Sequence, residues 1–123
     1  MSDTVLLETL KQISTSAKRI LKRFEPVDSV DYFLDGENGL EKMDGLCMQL
    51  IAIGESLKNV DKLTDKKLLL KYPEVNWKAA KGIRDIITHH YYDLDAEAIY
   101  DVCSNDIKSF ASTIDKIISE LKD

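Results

Sequence analysis

The chain predicts an all-α fold, an antiparallel four-helix-type bundle with one or two short extra helices. Three observations carry this. Apolar residues recur at spacings of three and four over four long stretches, the period of one helix face. Only five glycines and two prolines occur in 123 residues, few for a chain built of strands and turns. Ala, Leu, Ile, Lys, Glu and Asp are plentiful, and this composition favours long helices. The length is one domain's worth, so residues 1–123 are expected to form a single helical-bundle domain.

The first stripe is Leu6, Leu10, Ile13, Ala17, Ile20 and Phe24, widened by Leu7 and Leu21, and predicts a helix over residues 3–24. Ser2 or Asp3 can cap its start. Lys18, Arg19, Lys22 and Arg23 suit the negative end of the helix dipole, and Pro26 stops the helix. Residues 30–34 predict a helical turn capped by Asp28 or Ser29, and residues 35–39 weaken the helix locally. A second stripe, Leu40, Met43, Cys47, Leu50, Gly54 and Leu57, with Leu46 and Ile51 alongside, predicts a long helix ending near Val60. Gly within a helix costs about 1 kcal/mol relative to Ala, so Gly54 on this stripe predicts close approach of another helix. Residues 64–67 read as the cap and first turn of a short helix ending before Pro73. Asn76 then caps a helix that starts near Trp77, the lone Trp and a packing anchor, and carries Ala79, Ala80, Ile83, Ile86, Ile87 and Leu94. Asp95-Ala96-Glu97 begin a last long helix with the stripe Ile99, Cys103, Ile107, Phe110, Ile114, Ile117 and Leu121.

No apolar run approaches the ~20 residues that span a membrane. The start, Met-Ser-Asp-Thr, has no basic region followed by an apolar one, which predicts no secretory signal and a cytoplasmic location. Cys47 and Cys103 form no CxxC pair and lie on apolar stripes, so both read as small buried hydrophobes. The net charge of −5 argues against a nucleic-acid coat protein. Its distribution is uneven. Eight Lys and Arg fall between Lys58 and Arg84 against Asp61, Asp65 and Glu74, whereas residues 85–106 hold six acids and no Lys or Arg. A local positive approach could lead a polyanion towards Arg84.

The sign changes inside the stretch that gathers the most chemistry, Arg84-Asp85-Ile86-Ile87-Thr88-His89-His90-Tyr91. Arg holds a phosphate through its planar fork of donors. His suits proton transfer near neutral pH. Tyr donates a hydrogen bond or carries a modification on its oxygen. At about 100° per residue, Arg84 and Tyr91 are nearly eclipsed, with Thr88 between them. His89 lies about 140° round the helix from Arg84, aligned with Asp85 and Asp93, an ion-pair column that would raise its pKa. As a metal pattern the column is weak, because it needs ligands from other elements, and no metal is expected. His90 falls with Ile83, Ile86 and Ile87 on the core side. Glu55, next to Gly54, is either a surface carboxylate or a polar group orienting a partner near the site. Arg84 and His89 cannot meet one substrate from one straight helix. Either the helix ends or distorts around residues 88–91, or a second copy supplies the missing group.

Arg84, His89 and Tyr91 match the Arg-x-x-x-x-His-x-Tyr motif of HepT-like HEPN-domain proteins. Asp31-Tyr32-Phe33-Leu34, Ile53-Gly54-Glu55-Ser56, Pro73-x-x-x-Trp77, Gly82-x-Arg84-Asp85 and Tyr91-x-Asp93 match in the same order. The chain resembles this family over about residues 3–121. The resemblance implies the HEPN fold, a homodimer with the motif facing the dimer cleft, and the toxin half of a toxin–antitoxin pair. It implies an RNA substrate cut without metal or cofactor, and an MntA-type nucleotidyltransferase antitoxin as partner. Carried over by position, Arg84 binds and polarises the scissile phosphate, and His89 is a general acid or base. Tyr91 is the hydroxyl that the partner modifies with AMP. Asp85, His90 and Glu55 support them. The family often has Asn where Asp85 stands; a carboxylate there can pair with Arg84 or His89 and weaken RNA binding. The competing expectation is a non-catalytic helical binding subunit, the substrate-binding partner of a nucleotidyltransferase. A third is a dimer whose polar stretch only cements its interface.

Overall fold

A computed structural model describes residues 2–122. Six α-helices follow one another: α1 (Ser2–Phe24), α2 (Asp31–Leu34), α3 (Gly36–Thr64), α4 (Trp77–His89), α5 (Ala96–Asp101) and α6 (Ile107–Lys122). Short 3₁₀ turns cover Leu69–Lys71 and Tyr91–Asp93, and a π-helical turn, Val102–Asp106, joins α5 to α6. Among the described residues there is no strand. The fold is the expected all-α bundle. The long α3 lies at its centre, packed against α1 on one side and α4 on the other, with α6 against α1.

The predicted stripes are the core. Leu10, Ile13, Ala17 and Ile20 of α1 meet Leu46, Leu50, Leu57 and Val60 of α3 and Ile114 and Ile117 of α6, all fully or almost fully buried. Each such Leu, Ile or Val side chain contributes on the order of 1.5–3 kcal/mol by leaving water. Leu40, Ile86 and Leu121, expected on the stripes, are exposed. The first and last sit near helix ends, beyond the packed layers. Cys47 and Cys103 are buried and free, and burial pushes both thiols up to about 12.

Helix ends depart most from expectation. Ser2 and Asp3 already lie within α1, so neither is its flanking cap; position 1 falls outside the described residues. The α2 turn has no side-chain cap from Asp28 or Ser29; instead the Tyr32 N–H donates to the Ser29 carbonyl at 3.1 Å. α3 begins at Gly36 rather than Leu40, because the glycines expected to weaken it serve a turn and a close approach. Gly36 turns the chain at φ 80°, and a Cβ on Gly39 would lie 2.0 Å from the Tyr32 carbonyl oxygen. α3 also runs four residues past Val60. It closes where Asp65 (φ 54°) turns left-handed and the Lys66 N–H reaches the Asp61 carbonyl at 2.8 Å. Thr64 therefore ends a helix instead of starting one.

Asn76 caps α4 as predicted, its Oδ1 accepting from the Ala79 N–H at 3.0 Å. Trp77 anchors the same end, donating from Nε1 to the Tyr72 carbonyl at 2.8 Å and meeting the Phe110 ring edge-on. Asn76→Ala is expected to cost about 1 kcal/mol, read in urea unfolding as a lower midpoint with an unchanged slope.

The last helix is not one continuous α-helix. Ile99, Cys103 and Ile107 are spaced by four and four, which overruns a 3.6-residue turn. The wider π turn takes up the excess, and all three face the core.

Candidate active site at the C-terminal end of α4

Gly54 sets the register between α3 and α4. A Cβ there would lie 2.9 Å from the Arg84 Cβ and 3.3 Å from the Lys81 carbonyl oxygen. The predicted close approach is therefore met by the turn of α4 that carries Arg84. The helices run antiparallel, since Asp61, Glu55 and Asp44 of α3 pair in that order with Lys81, Arg84 and Tyr91.

This docking holds Arg84 between two carboxylates. Its Nε lies 3.0 Å from Glu55 Oε2 and its Nη1 2.8 Å from Asp85 Oδ1. Glu55 is thus both the surface carboxylate and the partner of Arg84. Asp85 also faces Lys58 Nζ at 3.7 Å. The Arg84 hydrogen bond first, and the Lys58 ammonium second, hold its carboxyl below the usual carboxylate range. Arg84 is raised in turn, by the Asp85 hydrogen bond and by the charge of Glu55. A guanidinium has five N–H donors, so three remain for an anion at a side chain that is 37% exposed.

α4 ends at His89, and His90 leaves the helical region at φ −128°. The expected eclipse of Arg84 and Tyr91 is lost, because Tyr91 sits in the following 3₁₀ turn. Its hydroxyl instead donates to Asp44 Oδ1 on α3 at 2.6 Å, and that bond raises the phenol pKa. Asp44 and Glu55 are eleven residues apart on one face of α3, about 16 Å along the axis. Arg84 and Tyr91 are thus tied to the same helix at two separate points.

His89 is exposed at the end of α4. Asp93 has left the helix, and among the described residues no ion pair joins His89 to Asp85 or Asp93. The Asp93 end of the aligned column is therefore lost, whereas Asp85 and His89 stay one turn apart on α4. No group of three or more His, Cys, Asp and Glu among the described residues could hold a metal. His90 is exposed too, contrary to its expected core position. Ile87 is the last buried residue of α4, and beyond it the ring has nothing to pack against. Exposed apolar side chains flank the motif: Met48, one turn from Asp44, with Ile86, Tyr91 and the almost wholly exposed Tyr92.

Asp44 escaped the sequence reading, and Lys58 entered it only as the start of the lysine-rich stretch, not as a partner of Asp85. The available signal was spacing, since Asp44, Glu55 and Lys58 share one polar face of the helix that carries Gly54.

The class so defined is a helical bundle that gathers a carboxylate-braced arginine, a terminal histidine and an anchored tyrosine at and just beyond the end of one helix. The family model for ribonuclease HepT-like proteins matches residues 13–117, and the chain belongs to this family. Three proteins from Methanocaldococcus jannaschii are similar over part of their length. Putative RNase MJ0127 is 33% identical over 73 residues, covering 59% of this chain and 57% of that protein. Putative RNase MJ0125 is 27% identical over 77 residues, 63% of this chain and 61% of that protein. Putative RNase MJ1216 is 26% identical over 76 residues, 62% and 58% respectively. The chain thus spans less than two thirds of the length of each of these curated relatives. No solved structure matches it. No helix of the described residues is long and apolar enough to cross a membrane.

Proposed function

We propose that the protein is a metal-independent endoribonuclease, the toxin of a HEPN/minimal nucleotidyltransferase pair, acting in the cytoplasm on RNA. The observation that carries this is Arg84. It is oriented by Glu55 and Asp85, retains free donors, and stands five residues before an exposed histidine. Arg84 binds the scissile phosphate and stabilises the charge that develops on it. His89 acts as general base on the 2′-hydroxyl or as general acid on the leaving oxygen. The nucleophile belongs to the substrate, so no metal-bound water is required. Because Arg84 and His89 lie on different sides of α4, the reading includes a homodimer in which a second copy completes the site. The exposed Met48, Ile86 and Tyr92 are the apolar surface such a dimer would cover.

Tyr91 is the AMP acceptor of the same reading. Its phenol proton passes to Asp44 as the oxygen attacks the α-phosphorus of ATP on the partner nucleotidyltransferase, and pyrophosphate leaves. The adenylyl group replaces the Asp44 hydrogen bond and adds charge and bulk on the face of α3 that also carries Glu55, the partner of Arg84. A second reading, a non-catalytic binding subunit, draws on the same pairing, since Glu55 and Asp85 already occupy two donors of Arg84.

Expression with and without the candidate nucleotidyltransferase and ATP tests both. Intact mass is expected to rise in steps of one AMP, Tyr91→Phe is expected to stay unmodified, and modification is expected to stop RNA cleavage. Stable complex formation with no cleavage by the unmodified chain would favour the binding subunit.

A further inference from the structure

The lysine-rich stretch read from the sequence converges in space. The last turns of α3 and the first turns of α4 form an open cleft of about 550 Å³ that ends at Asp85, the partner of Arg84. Lys58, Lys62, Lys66, Lys78 and Lys81 line it, against Asp61, Asp65 and Asp85. Five lysines against three aspartates leave a surplus of two positive charges in a chain whose net charge is −5. Lys81 is spent on Asp61 at 2.5 Å and Lys58 faces Asp85. Lys62, Lys66 and Lys78 are exposed and have no ion pair among the described residues.

The floor of the cleft supplies an independent observation. Gly82 lies mid-way along α4, where Gly disfavours the helix. Unlike Gly54 and Gly39, it has no packing reason, because a Cβ there would meet nothing within 4 Å. What Gly82 keeps is open space on a wall of the basic cleft. Gly45 of α3 is equally bare but lies outside the cleft, so Gly82 is the open helical glycine that faces the lysines.

We propose that this cleft is the track for the sugar-phosphate backbone of single-stranded RNA, which lies against Gly82 and is held by Lys62, Lys66 and Lys78. The track runs to Asp85, so a strand lying in it reaches Arg84 with its next phosphates. This rests on the ribonuclease reading for its substrate, but makes a separate claim about where the strand lies.

The test is fluorescence anisotropy of a labelled single-stranded RNA oligonucleotide with the uncleaving His89→Ala protein, from 50 to 200 mM salt. The triple variant Lys62→Ala/Lys66→Ala/Lys78→Ala, on that background, is expected to lower the salt slope by about 2, an affinity loss across this range about 20-fold smaller. Gly82→Leu is expected to raise the melting temperature while weakening binding about tenfold, the effect of one poorly accommodated side chain. An unchanged slope in the triple variant, or unchanged binding in Gly82→Leu, overturns the track even if the wild type cleaves RNA. Loss of binding in both variants, with a wild type that never cleaves, supports the track and removes the nuclease. Binding of an acidic protein surface that RNA does not displace also overturns the proposal.

Discussion

Arg84→Ala is expected to lower kcat/KM for RNA cleavage by about 10²–10³, a loss of roughly 3–4 kcal/mol of transition-state stabilisation. The size follows from the arrangement. Glu55 and Asp85 fix the guanidinium in the free protein, so in the proposed reaction its remaining donors would meet the phosphate without reorganising. Arg84→Lys is expected to recover little, because an ammonium cannot be braced from two sides and still present a fork to a phosphate. The loss should appear in kcat as well as in KM, since the charge on the phosphate oxygens grows towards the transition state. A rate within threefold of wild type, measured on a fluorogenic RNA oligonucleotide, would remove Arg84 from the chemistry. Unfolding midpoints of the variant serve as the control, because Arg84 is partly exposed and its ion pairs contribute little to stability.

The second large effect lies one contact away. Gly54→Val is expected to destabilise the fold by about 3 kcal/mol, at the upper end of what overpacking costs. A Cβ at 2.9 Å from the Arg84 Cβ and 3.3 Å from the Lys81 carbonyl meets two atoms that move only with the α4 backbone. Branching at Cβ adds a further methyl to that contact and disfavours the helix itself. The melting temperature should fall by roughly 10 °C for a domain of this size. Activity should fall further than stability, because moving α4 outward parts Arg84 from Glu55. Gly45→Ala is the matched control. Nothing lies within 4 Å of a Cβ at that position of α3, so it should gain about 1 kcal/mol from helix propensity alone. Equal effects at the two glycines would show that Gly54 does not set the distance between the helices.

Much of this was legible in the sequence. The stripes from Leu6 to Ile20 and from Met43 to Leu57 gave the helices and the faces they bury. The cap at Asn76 followed from residue type and position. Gly54 announced a helix crossing because a glycine on an apolar stripe needs a reason. The helix end expected around residues 88–91 falls at His89, and what misled was carrying the helical wheel past it to residue 93. The wheel put His90 in the core, Tyr91 over Arg84 and Asp93 under His89, and all three placements failed once α4 ended at His89. Where a helix stops depends on what its last turn packs against, and Ile87 is the final residue of α4 with a core to enter.

The sequence by itself determined the helix faces, the site's residue types and the crossing at Gly54. These rest on a fixed angle per residue and on local backbone preference, which neighbouring residues settle among themselves. Tertiary structure alone decided that Glu55 braces Arg84, that Asp44 takes the Tyr91 hydroxyl, and that lysines from two helices share one cleft with Gly82. Those pairs join residues up to 47 positions apart. Which of them meet is set by the register at which α4 slides along α3, and that register exists only once Gly54 has seated the turn that carries Arg84.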